Sequence, residues 1–101
     1  MNDVVAVQVF TALRARGVDV PGGFSVAGFD DLEGLPAPAR LTTVRRATEQ
    51  MGRQAIRLLV ERMHDPAGER RHVVLPTSLV AGDTTGPLRT SVLGGARSKL
   101  P

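Results

Sequence analysis

The 101-residue chain has no cysteine, tryptophan or tyrosine, three phenylalanines and a single lysine, Lys99. Without cysteine it can form no disulfide, no thiol nucleophile and no cysteine-ligated metal centre, which suits a reducing, cytoplasmic setting. So few aromatics leave little platform on which a sugar ring could stack. No apolar run approaches the roughly 20 residues of a membrane span, so no membrane partner is expected. The opening Met1-Asn2-Asp3-Val4 lacks the basic start of a secretion signal.

Chemistry is also thinly supplied. No glycine-rich phosphate loop occurs, and His64 and His72 are too few, and wrongly spaced, to ligate a metal. Gly23-Phe24-Ser25-Val26-Ala27 misses the nucleophile elbow, because Ala27 stands where a second glycine is needed. His64-Asp65 fall at an expected helix end, where the helix dipole favours an imidazolium without any reaction. The expectation is a protein with no catalytic residue, no metal and no cofactor. An enzyme would need a nucleophile and base that these residues do not offer.

The net charge of +3 invites a nucleic-acid reading, but Arg89, Arg97 and Lys99 account for the whole excess. Residues 1–88 are neutral overall, and a phosphate-binding surface needs positive charge clustered on a folded face. With 42% hydrophobic and 23% charged residues the chain reads as globular, and its length allows at most one domain.

Asn2 or Asp3 can cap a helix running to about Arg16. Its residues Val4, Val5, Ala6, Val7, Val9, Phe10, Ala12 and Leu13 leave little polar face, which predicts burial on more than one side. One side would meet a sheet and the other a second subunit. Gly17 suits the left-handed stop. Phe24 to Phe29 reads as a short strand covered on both faces, with Phe29 turned to the core. Residues 31–40, with Gly34, Pro36 and Pro38, form an irregular connection.

Leu41 to Val44 reads as a second strand. A helix follows from about Ala47 to His64, with Met51, Ala55, Leu58, Leu59 and Met63 on one face. Glu49 with Arg53, and Arg57 with Glu61, stand at i,i+4 spacing. His72 to Val80 reads as a third strand, broken at Pro76, and residues 89–101 as a disordered tail. Three short strands and two helices make a poor closed core. The chain is either a small α/β domain that oligomerises or, as favoured here, part of a larger sheet.

Six segments together resemble the C-terminal end of LacI/GalR-family transcriptional regulators. They are Asn2-Asp3 with Ala6 and Ala12-Leu13; Gly17 to Pro21; Phe24 to Asp31; Leu41 to Val44; Gly52 to Leu59; and Leu75-Pro76-Thr77 through Asp83-Thr84-Thr85. The resemblance implies a partial periplasmic-binding-protein-like α/β fold, a parallel sheet flanked by helices. Residues 1–88 would be the C-terminal portion of an effector-binding and dimerisation domain. The DNA-reading helix-turn-helix, and with it any contact to DNA, would lie outside this chain. The strand at 41–44 would cross between two lobes, the helix at 47–64 would pack on the first lobe, and the remainder would return to the second. Four positions depart from the family pattern: Gln8 for a usual Gly, Gly23 for an acid, Arg40 for a Pro, and Gly82 for an Arg.

Three residues are candidates for contact with a small-molecule effector, a sugar or related metabolite. Asp30 ends an apolar strand, and open α/β sheets hold ligands at such carboxyl ends. Its carboxylate can accept two hydroxyl protons, and in the resembled family the acid here commonly contacts the effector; the alternative is a turn aspartate bonding its own backbone. Asn2 offers a donor and an acceptor, or simply caps the helix. Arg46 follows the crossing strand at a common family contact position and would favour an anionic effector, or is a solvated charge. Asp31 reads as a turn cap. The resemblance further implies a homodimer through Val4, Val7, Phe10 and the 33–39 loop. A transport-type sugar-binding protein of the same fold is the second reading.

Overall fold

The computed structural model describes residues 1–87, and the expected tail at 89–101 lies outside them. The order of elements is α1 (Asp3–Ala15), β1 (Thr43–Arg45), α2 (Thr48–His64) and β2 (Ser78–Val80). The chain falls into two compact units. One comprises Met1–Arg45 with the described residues from Ser78 onward, and the other is Arg46–Thr77.

In the first unit, α1 starts at Asn2, whose side-chain oxygen accepts from the Val5 amide. Asn2, not Asp3, is therefore the cap. The helix ends at Arg16, and Gly17 takes a φ of +76°, the left-handed stop that glycine adopts without a steric penalty. One face of α1 sends Ala6 and Phe10 into a core shared with Val20 and Val26, against which Leu13, Phe24, Ala39 and Leu41 pack. Burying Phe10 contributes roughly 1.5–3 kcal/mol. Val4, Val5 and Val9 on the remaining surface stay more than a third exposed. Phe10, only 3% exposed, is thus a core residue and cannot belong to a dimer contact as expected. Its i and i−4 position with Ala6 places both on the sheet-facing stripe.

The segment 24–29 is extended but forms no continuous ladder. It meets the crossing segment through two isolated parallel bridges, Ala27 with Thr42 and Asp30 with Arg45. The continuous pairing is antiparallel: β1 and β2 align Thr43 with Val80, Val44 with Leu79 and Arg45 with Ser78. Val26 is buried whereas Phe29 is 41% exposed, so the segment is covered on one face, contrary to both expectations for it. The expected third strand shrinks to Ser78–Val80, and no strand is assigned over residues 72–77.

Threonines tie the end of this unit to its start. The Thr84 hydroxyl donates to the Val26 carbonyl at 2.6 Å and accepts from the Thr42 amide at 3.0 Å. Gly82 sits where the chain passes close to residues 40–42. A Cβ there would lie 2.3 Å from the Arg40 carbonyl oxygen and 2.7 Å from the Thr42 nitrogen, so backbone meets backbone.

The second unit is α2 and the loop after it. α2 has no buried residue among the described ones; Ile56, Leu59 and Met63 are all more than half exposed. Glu49 pairs with Arg53 as the spacing predicts, but Glu61 pairs with Arg71 across the loop instead of with Arg57. Arg62 donates to the carbonyls of Pro66 and Gly68 at 2.9 and 2.8 Å. Carbonyls beyond the helix end thereby gain a charged donor.

Candidate functional site

The first unit brings two of the three candidates together. The Asp3 amide donates to the Phe29 carbonyl at 3.1 Å. Asn2 and Asp30 therefore flank one backbone hydrogen bond, at the start of α1 and the end of the 24–30 segment. Asn2 is exposed and Asp30 half-buried. The Asp30 amide donates to the Val44 carbonyl at 2.9 Å, fixing the residue to the crossing segment as well.

Asp30 has a φ of +118° and Asp31 a φ of +55°. Two successive non-glycine residues at positive φ are uncommon and strained, and such residues cluster at functional sites. Asp31 does not simply cap a turn. Its Oδ2 accepts from Arg45 Nε at 2.6 Å, in a pair whose arginine side is 62% exposed. Arg46, the third candidate, is exposed and opens the second unit; its carbonyl accepts from the Thr48 amide.

The sequence reading missed the polar centre of this arrangement, Asp3. It is 3% exposed. Its Oδ1 accepts from the Thr43 hydroxyl at 2.6 Å, and its Oδ2 accepts from the Leu32 amide at 2.9 Å. The Thr43 hydroxyl oxygen also accepts from the Asp31 amide at 3.3 Å. Gly28 packs against the same carboxylate, for a Cβ there would lie 2.2 Å from Asp3 Oδ1. The one available signal was a second helix-start acid beside an already sufficient cap, which left Asp3 without a local partner.

A hollow of about 430 Å³ adjoins this network, lined among others by Asp3, Val7, Asp31, Leu32, Leu35 and Thr43. It lies on the Asp31 side of the turn, and neither Asn2 nor Asp30 lines it. A second hollow, about 800 Å³, lies within the other unit between α2 and its loop, lined by Leu58, Leu59, Arg62 and Glu69 among others. Among the described residues no group of three His, Asp or Glu side chains could hold a metal ion. No helix there is long and apolar enough to cross a membrane.

The model of the periplasmic binding protein-like domain matches residues 1–85. The chain is 36% identical to the HTH-type transcriptional regulator DegA of Bacillus subtilis over 91 residues, 88% of this chain and 27% of that protein. It is 33% identical to the HTH-type transcriptional repressor PurR of Vibrio cholerae over 92 residues, again covering 27% of the relative. Among solved structures, a LacI family transcriptional regulator from Enterococcus faecalis V583 with bound ribose superposes with a TM-score of 0.74 at 32% identity. That match covers 87% of this chain and 33% of the other. The chain thus spans about a quarter of the length of the curated relatives it matches.

Proposed function

The chain belongs to the periplasmic-binding-protein-like family, among the LacI/GalR transcriptional regulators, and from that premise we propose that it is effector-sensing machinery of such a regulator. The effector is a polar small molecule of the sugar class. Asp30 accepts from its hydroxyl groups, and Asn2, whose oxygen caps α1, offers its side-chain amide N–H as a donor. The hydrogen bond between Asp3 and Phe29 carries this reading, because it sets Asn2 and Asp30 side by side at the carboxyl end of an extended segment. Ribose in the enterococcal regulator supports the ligand class.

Regulation follows from differential binding. An effector with unequal affinity for two arrangements of a two-lobed sensor shifts their populations, and a dimer transmits the shift to its DNA-reading heads. Residues 1–88 act as the sensing and dimerising portion, in a cytoplasmic protein without catalytic activity. Val4, Val7 and the 33–39 loop form the dimer contact, with Val5 and Val9 in place of the buried Phe10. The exposed apolar side of α2 packs on the other lobe.

The test is a thermal-shift and calorimetric screen of pentoses and hexoses against the natural gene product that carries this segment, with Asp30→Ala alongside. Ligand stabilisation in the unaltered protein and its loss in Asp30→Ala is the expected result. Equal stabilisation of both removes Asp30 from the site.

A further inference from the structure

We infer that Asp3 is a positioning residue: its buried carboxylate fixes the turn that holds Asp30 at positive φ. The consequence for ligand binding rests on the effector role proposed for Asp30, whereas the positioning itself does not.

Helix capping does not explain Asp3, since Asn2 already accepts from the Val5 amide. Both carboxylate oxygens instead serve residues far away in sequence. One accepts from the Leu32 amide and the other from the Thr43 hydroxyl, which in turn accepts from the Asp31 amide. The Asp3 amide donates to the Phe29 carbonyl. Residues 29, 31 and 32 are therefore all tied to Asp3, directly or through one hydroxyl, while the Asp30 amide is held by Val44. Asp30 is enclosed by anchors on both sides.

A carboxylate this deeply buried is unfavourable unless its oxygens are hydrogen-bonded, and apolar side chains would fill the same space without that cost. Apolar groups could not orient two amides. Strained backbone persists only where its surroundings over-determine it, and the conformation of Asp30, φ +118°, meets that condition through Asp3. Gly28 belongs to the same device, since any side chain there would displace the carboxylate.

The test uses the natural gene product that carries this segment, with two readouts: amide hydrogen exchange at Asp31 and Leu32, and affinity for ribose. Asp3→Ala is expected to speed exchange at both amides at least tenfold relative to the amides of α1, and to weaken ribose binding at least tenfold. Asp3→Asn, which keeps one carbonyl acceptor, falls between. Val26→Ala lowers stability through the core and is expected to change neither readout selectively. If Asp3→Ala does not fold, Thr43→Val opens the link to the Asp31 amide alone, leaving that of Leu32, and Thr43→Ser restores it. Exchange at Asp31 and Leu32 that merely follows the rest of the protein overturns the inference. Selective loss of protection with ribose affinity unchanged keeps Asp3 as the residue that fixes the turn and removes the effector role of Asp30. If the unaltered protein binds neither ribose nor any other sugar in the screen, the effector role of Asp30 fails, and the exchange pattern alone decides whether Asp3 fixes the turn.

Discussion

The Thr43 hydroxyl donates to Asp3 Oδ1 at 2.6 Å, joining residues forty positions apart, and both side chains are 3% exposed. Neither partner has water to fall back on. Thr43→Val leaves a carboxylate oxygen short of a donor and is expected to cost about 1–3 kcal/mol of folding stability. Thr43→Ser keeps the hydroxyl and is expected to cost less than half as much. Urea denaturation of the three proteins gives the comparison.

Gly82 has a backbone carbonyl where its side chain would be. Gly82→Ala forces residues 40–42 apart and is expected to destabilise by on the order of 2 kcal/mol or more, as overpacking does elsewhere. Gly52, with nothing within 4 Å of a Cβ, is the control. Gly52→Ala lies inside α2 and is expected to stabilise by roughly 0.5–1 kcal/mol. A thermal melt of each variant reads the opposite signs.

Phe10 and Val4 separate core from contact surface. Phe10→Ala is expected to cost about 3–5 kcal/mol, at the upper end if the small core around Ala6, Val20 and Val26 cannot collapse. It also removes the stacking of Arg14 over the ring, 5.6 Å from its centroid. Val4→Asp, on the exposed side of α1, is expected to leave the melting temperature of the monomer nearly unchanged while abolishing self-association. Sedimentation equilibrium across a concentration series checks this, and a Val4→Asp protein that still dimerises removes α1 from the contact.

The Arg45–Asp31 pair is short but its arginine side faces solvent. Exposed pairs contribute little, so Arg45→Gln is expected to change stability by less than about 1 kcal/mol, with the difference shrinking further in high salt. Denaturation at low and high ionic strength measures it.

Much of the architecture was legible because its causes are local. Asn2 as a helix start, Gly17 as a stop and the span of α2 follow from capping chemistry and from apolar residues at helical spacing, which need no distant partner. The Glu49–Arg53 pair is of the same kind. Arg57–Glu61 has the same spacing, yet Glu61 turned to Arg71 in the loop, because spacing states which pairs are within reach and not which competitor arrives. The two bridges at Ala27 and Asp30 show how little pairing a segment needs to lie extended. Its apolar composition read as two covered faces where only one is covered.

Of the candidate site, the sequence identified Asn2 and Asp30 as polar groups at element ends, and the fold family as a whole. What it could not contain was the company each residue keeps. Asp3, Thr43, Gly28 and Gly82 owe their roles to segments that meet only after the chain has folded, across separations of up to forty-two residues. Helix propensity is encoded within a few neighbours, whereas the burial of a carboxylate or the closeness of two backbones is a property of which surfaces meet. That is why α1 could be read from its residues, and why only the tertiary structure could show that its first acid faces inward to hold a distant turn.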